Sequence, residues 1–241
     1  MREKGAGSLK SQKNRSRRPN IIALVPSAGS GRRFGGGKTF FSIKGKAVLL
    51  WALEALERTP EIDLIIPIVR KTDIKHAQRL IDRARLKKVA AIAAGGKERQ
   101  DSVWNGLKLL PSDTGIVLVH DGARPFAGAS FISGLISSLK KFDGVVPGLM
   151  PKDTTKEIGE DGLVCETLVR ENLVAVQTPQ VFPYEVLCRA YEMAMRAGYY
   201  ATDDAALVES MGGKIKVVPG SPRNIKITTR EDIITAERFF K

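Results

Sequence analysis

From Asn20 onward, short apolar runs alternate with amphipathic stretches. IIALV (21–25), DLIIPIV (63–69), VAAIA (89–93), GIVLVH (115–120) and GVVPGLM (144–150) are too short for helices, and Gly, Pro or charged residues bound them. They read as buried strands. The spacing between them predicts helices near Ala47–Arg58, from a Thr72–Asp73 cap to about Lys88, over Glu98–Leu110 and over Ser130–Lys141. This alternation predicts an α/β fold with a mainly parallel sheet and helices on both faces. The pattern breaks at about 150–172, where GEDG (159–162) separates two polar, β-prone stretches. That segment reads as a hairpin arm leaving the main body. A lone polar hairpin is marginal in water, so the arm is expected to pack on a partner subunit. Helices at about 184–197 and 203–211, a strand KIKVV (214–218) and a helix from about Arg230 complete the chain. Neither a repeat nor a linker divides residues 20–241, which therefore read as one domain.

Residues 1–19 are polar, basic and aperiodic, and are expected to form a disordered tail. A nucleic-acid arm or a transit peptide is the functional alternative. Residues 1–18 carry seven Lys/Arg and one Glu, so +6 of the formal +13 lies there and +7 in the remainder. A basic body suits a phosphate-rich partner, whether nucleotide or nucleic acid. No apolar run approaches the ~18 residues of a membrane span, and no apolar signal segment opens the chain. Cys165 and Cys188 are the only cysteines and form no CxxC, which excludes a disulfide framework and a cysteine zinc site. The expectation is a cytoplasmic protein without a membrane partner.

Candidate chemistry gathers after the strands. SAGSGRRFGGGK (27–38) follows the first one. Its glycines let backbone N–H groups face an anion, and Arg32, Arg33 and Lys38 add charge, so the segment suits a polyphosphate. It fits neither the Walker A pattern nor the dinucleotide fingerprint. VHDGARP (119–125) ends another strand. Asp121 there suits a metal–phosphate complex, and Arg124 either pairs with a phosphate or with Asp121 to fix the loop. His120 reads as a packed core histidine. GGKERQDS (95–102) places two glycines and a helix start beside a base or phosphate, with Ser102 either a base ligand or satisfied locally. Farther on, Lys226 in NIKIT (224–228) is an anion ligand or an edge-strand lysine. Thr202 before Asp203 and Asp204 is a ligand or a helix N-cap.

These motifs, with KDT (152–154) and TPQ (178–180), occur together in an order that resembles the 2-C-methyl-D-erythritol 4-phosphate cytidylyltransferases of the non-mevalonate isoprenoid pathway. The resemblance runs from about Ile21 to Phe240, and VHDGARP and TPQVF are its most specific parts. It implies a Rossmann-like nucleotidyltransferase fold with a dimerising β-arm, acting on CTP and methylerythritol 4-phosphate with Mg²⁺. It implies that Arg33 and Lys38 grip the triphosphate, that Pro26, Ser27, Ala28, Gly29 and Gly31 line the nucleotide site, and that Gly96 and Ser102 meet the base. Asp121 would lie by ribose, metal and sugar substrate. Arg124, Thr178, Thr202 and Lys226 would hold methylerythritol phosphate, Lys226 as a catalytic cation. Thr154 and Arg170 would reach from the arm into the neighbouring subunit's site. Ser27 and Gly37 stand where the family usually has Ala and Pro, which keeps Lys44 and Lys46 as alternatives to Lys38. The chain is also expected to lack the fused cyclodiphosphate synthase domain of bifunctional relatives.

The chemistry suits such a set. A phosphate monoester is already an anionic nucleophile, so the reaction needs positioning and cationic stabilisation more than a general base. The nearest rival is a cytidylyltransferase for a pentitol phosphate such as ribitol 5-phosphate. A nucleic-acid-binding protein driven by the basic tail is the rival from another class. No nucleic-acid module is legible in 20–241, and aromatic residues make up only 6% of the chain, too few for base-stacking platforms.

Overall fold

A computed structural model describes residues 20–29, 31, 34–35 and 37–239. The expected tail, Arg32 and Arg33 lie outside the described residues. Strand β1 (Asn20–Pro26) is followed by a small hairpin, β2 (Ser42–Ile43) and β3 (Lys46–Ala47), and by helix α1 (Val48–Glu57). Then come β4 (Leu64–Val69), α2 (Ile74–Ala84), β5 (Ala93–Ala94), α3 (Arg99–Leu107), β6 (Thr114–Val119), α4 (Ala129–Ser138) and β7 (Gly144–Leu149). The arm is β8 (Lys156–Ile158) and β9 (Val164–Thr167). The chain closes with β10 (Ala175–Val176), β11 (Gln180–Pro183), α5 (Tyr184–Ala197), α6 (Asp204–Ser210), β12 (Ile215–Pro219) and α7 (Glu231–Arg238).

The main sheet runs β10-β7-β11-β6-β1-β4-β5, with β12 also pairing β7. The β1–β4, β1–β6, β4–β5 and β7–β12 pairs are parallel, while β10 and β11 run antiparallel to their neighbours. Successive strand residues face opposite layers. Ile21, Ala23 and Val25 pack with Leu49, Leu53 and Ile132 of α1 and α4. Ile22 and Leu24 pack with Val103, Leu187 and Tyr191 of α3 and α5. A third, smaller cluster joins Phe34, Ile43, Val48, Ile227 and Ala236, so the glycine loop, the Lys226 segment and α7 share one apolar support.

Several elements differ from the sequence pattern. Helix α2 stops at Ala84, because Arg85 turns left-handed (φ 54°) and the Glu57 carboxylate accepts from Lys87 N (2.9 Å) and Lys88 N (3.0 Å). VAAIA contributes only Ala93 to β5 and one bridge from Val89 to Ile65. A 3-10 turn at Lys71–Asp73 precedes α2, and Asp73 accepts from Arg70 Nε (2.7 Å) rather than capping the helix. NIKIT is not a strand: its backbone is irregular, and Asp232 of α7 accepts from Thr228 N and Thr229 N at 2.7 and 2.8 Å. The β2–β3 hairpin turns through Lys44 and Gly45, both with positive φ (49° and 76°). Lys46 in it is paired with Glu54 (2.7 Å) and lies over the Trp51 ring (3.9 Å). Strand β11 lacks a sequence signal because it has four residues and ends in proline, yet it inserts between β6 and β7 and is buried.

Among the described residues, the arm strands pair only with each other, and all seven of their residues are exposed. Among the described residues, no helix is long and apolar enough to cross a membrane.

Candidate active site

The parallel strands deliver their C-terminal ends to one edge of the sheet, where open α/β folds bind ligands. Ser27 N donates to Ile68 O (2.7 Å), Gly95 N to Val69 O (2.8 Å), His120 N to Leu24 O (2.9 Å) and Gly122 N to Pro26 O (3.2 Å). These bonds draw the loops after β1, β5 and β6 together. Two crossings admit only glycine. A Cβ on Gly95 would stand 2.2 Å from Ala28 Cβ, and one on Gly122 would stand 2.1 Å from Ser27 Oγ.

A cleft of about 710 Å³ opens at this edge. Pro26, Ser27, Ala28, Gly29 and Gly31 form one wall. Gly96, Arg99 and Ser102, at the start of α3, form another. Lys38, Arg70, Asp121 and Lys226 bring charge to it. The start of α3 is shaped by a capping box in which Glu98 and Asp101 exchange side-chain and backbone bonds. Ser102 Oγ donates to Glu98 O and accepts from Gly96 N, both at 3.0 Å, so Ser102 fixes the Gly96 turn and is satisfied locally.

Asp121 is the centre of the charge pattern. Its Oδ1 accepts from Arg99 Nε at 3.2 Å and its Oδ2 from Lys226 Nζ at 2.6 Å. Burial pushes its carboxyl up, but Arg99 first and then Lys226 and Arg124 outweigh this and hold it well below the usual carboxylate range. Arg99 is held in turn by Asp204 Oδ2 (2.6 Å), and Asp204 Oδ1 accepts from Tyr191 Oη (2.5 Å). Burial works against the Arg99 charge, yet Asp204 and then Asp121 keep its pKa above the ordinary value.

A neutral relay supports Asp121 from behind. His120 Nε2 lies 3.1 Å from Arg124 O, which can only accept, so Nε2 carries the proton. Nδ1 then accepts from the Thr178 hydroxyl (3.1 Å), and Thr178 Oγ1 accepts from Asp121 N (3.0 Å). Burial lowers the His120 pKa to about 4; Asp121 opposes that shift and Arg124 adds to it. Gln180, on β11, pairs in register with Val119 on β6, and this brings Thr178 beside Asp121 across 57 residues of sequence.

The predicted residues thus divide. Pro26, Ser27, Ala28, Gly29, Gly31, Lys38, Gly96, Ser102, Asp121 and Lys226 meet at the cleft. Arg33 lies outside the described residues. Thr178 is buried with its hydroxyl engaged in the relay. Arg124 donates from NH1 to Asn224 O (2.7 Å), while its Nε is buried with no acceptor among the described residues. Thr202 is exposed and is not the helix cap: Asp203 is, accepting from Ala206 N (2.9 Å). Thr154 and Arg170 lie exposed on the arm, where Arg170 NH1 donates to Lys152 O (3.2 Å).

Arg99 and Asp204 escaped the sequence reading, although both stand inside motifs it used. A signal was present: an arginine in the first turn of a helix opposes the helix dipole and implies a carboxylate partner.

A sheet edge that combines a glycine loop, a lysine and a cation-flanked carboxylate suits an enzyme that binds a phosphorylated ligand such as a nucleotide. The chain belongs to the 2-C-methyl-D-erythritol 4-phosphate cytidylyltransferase family, whose model matches residues 21–241, and is therefore a nucleotidyltransferase. An enzyme of that name from Desulforamulus reducens is 42% identical over 225 residues, covering 92% of this chain and 96% of the relative. One from Dehalococcoides mccartyi is 44% identical over 222 residues, with coverage of 92% and 96%. The solved 4-diphosphocytidyl-2C-methyl-D-erythritol synthase of Anaerococcus prevotii superposes with a TM-score of 0.82 at 34% identity, covering 92% of this chain and 96% of that one.

Proposed function

We propose that this chain transfers the cytidylyl group of CTP to 2-C-methyl-D-erythritol 4-phosphate in the cleft around Asp121. A substrate phosphate oxygen attacks the α-phosphorus, and a new P–O bond forms. The bond from the α-phosphorus to the bridging oxygen breaks, and pyrophosphate leaves with that electron pair. The observation that carries this reading, beside family membership, is the Arg99–Asp121–Lys226 arrangement on the cleft, which offers cations to two polyanions. Such a site works by positioning and electrostatic stabilisation.

Within this reading Lys38 and Arg33 bind the triphosphate. Amides of Ala28, Gly29 and Gly31 cradle it, and the Gly96–Ser102 turn faces the cytosine. Lys226, which lines the cleft, and Arg124, whose charge acts on Asp121, bind the substrate phosphate. Lys46, committed to Glu54, is a weaker candidate than Lys38 for the triphosphate. Thr178 enters as a support of the Asp121 turn. No group of three or more His, Cys, Asp or Glu that could hold a metal occurs among the described residues. With its two oxygens engaged by Arg99 and Lys226, Asp121 would offer a water-mediated contact to a magnesium ion held mainly by phosphate oxygens and water. When bound, the ion would neutralise charge on the triphosphate. Residues 20–241 form one catalytic domain in this reading, apart from the basic tail.

The arm supplies the dimer contact. Ile158, Leu163 and Val164 are 64%, 69% and 57% exposed, an apolar strip that a second copy would cover. Thr154 and Arg170 then reach the partner's cleft. Pyrophosphate release is measured with CTP and Mg²⁺, using methylerythritol 4-phosphate or ribitol 5-phosphate. Release with the former alone is expected, and release with ribitol 5-phosphate alone would overturn the substrate. Arg170→Ala and Lys226→Ala chains, each inactive, should recover activity in heterodimers. No recovery in verified heterodimers would sink the shared site.

A further inference from the structure

The Asp121 carboxylate is held by two cations that differ in how they are themselves secured. Lys226 reaches it from an irregular segment, its side chain 40% exposed and its Nζ ion-paired to Asp121 alone among the described residues. Arg99 is gripped from behind by Asp204, which is fully buried and also takes the Tyr191 hydroxyl. Tyr191 is 1% exposed and stacks on Trp104 at a centroid distance of 6.0 Å. The Asp204 end is thus set in the packed layer between α3, α5 and α6, whereas the Lys226 end faces the cleft.

We propose that Arg99 is a positioning residue, anchored by Asp204, that keeps Asp121 in place while Lys226 leaves it for the substrate phosphate. This rests on the reading of the cleft given above. The reasoning is electrostatic. At rest, Asp204, Arg99, Asp121 and Lys226 alternate in charge and sum to zero. Were Lys226 its one close counter-ion, the move of Lys226 to an incoming phosphate would leave Asp121 as a buried charge without an ion-pair partner, which is costly. Arg99 removes that cost because its bond to Oδ1 does not depend on Lys226. Without Arg99, the carboxylate would have Lys226 as its one close ion-pair partner and would hold it back, so the loss should fall on the phosphate substrate. Among the described residues, Arg124 and His120 are the remaining ionisable groups acting on Asp121: Arg124 adds a weaker attraction, and His120 is neutral.

The test uses the full-length enzyme carrying Arg99→Gln together with Asp204→Asn, so that no buried charge is orphaned. The KM for methylerythritol 4-phosphate should rise at least tenfold. The dissociation constant for CTP with Mg²⁺, measured by calorimetry without the second substrate, should change less than twofold. The melting temperature should stay within a few degrees of wild type. Asp204→Asn alone, which frees Arg99 from its anchor, should give a smaller rise in the same KM. An unchanged KM in the double variant would overturn the proposal, as would an equal loss of CTP binding or a collapse in melting temperature. Asp121→Asn separates the two ideas. If that variant is fully active, the reading of the cleft fails; if it is inactive while the double variant behaves as wild type, only the role of Arg99 fails.

Discussion

Replacing Thr178 by valine preserves shape and removes one hydroxyl. That hydroxyl accepts from Asp121 N at 3.0 Å and donates to His120 Nδ1 at 3.1 Å, in a side chain only 5% exposed. The His120 ring cannot compensate by changing tautomer, because its Nε2 proton is committed to Arg124 O. Valine therefore strands a buried donor and a buried acceptor. Each stranded group costs about 1–3 kcal/mol, so about 2–6 kcal/mol of folding stability should be lost. Urea unfolding reads this directly as a lower midpoint at unchanged slope. Thr178→Ser keeps the hydroxyl and should lose much less. Turnover should fall in the valine variant because the Asp121 backbone is no longer pinned, with KM for both substrates changed little. A valine variant as stable as wild type, but with a selectively raised KM for methylerythritol 4-phosphate, would refute this reasoning and make Thr178 a substrate ligand.

Three further outcomes are expected. His120 is neutral in the fold, with its pKa lowered to about 4 chiefly by burial, while the unfolded chain titrates near 6.5. The unfolded state therefore binds more protons between these values, and stability should fall by about 3 kcal/mol as pH drops from about 6.5 to 4; urea midpoints across that range should show it, and His120→Gln should flatten that limb. Gly95→Ala would place a methyl 2.2 Å from Ala28 Cβ and 3.1 Å from Ser102 Oγ, so the wall of the cleft must shift; calorimetry should show CTP binding at least tenfold weaker, and wild-type affinity would contradict the tight crossing. Ile158→Lys with Val164→Lys charges the exposed strip of the arm; sedimentation should report a dimer for the unaltered chain and a monomer with an intact fold for the variant, and a dimeric variant would place the interface elsewhere.

The α/β class, the strands β1, β4, β6 and β7, and the arm were legible because apolar runs and helical spacing are local signals. Helix α5 occupies Tyr184–Ala197, the span its periodicity predicts. The motif residues at the cleft were legible too, since a parallel sheet collects the loops after its strands whatever their distance in sequence. Other features were not. Strand β11 is short and proline-ended, and becomes a strand only because β6 and β7 flank it. NIKIT has a strand's composition, but Asp232 and the Ile227–Ala236 cluster hold it as irregular chain. Arg99 and Asp204 are 105 residues apart, and nothing in either segment names the other. Sequence alone determined which residue types reach the edge of the sheet, because strand positions and periodicity are written locally. The tertiary structure decided which of them point into the cleft and which brace it from behind, because a buried hydroxyl, carboxylate or guanidinium takes its role from the partners that packing brings to it.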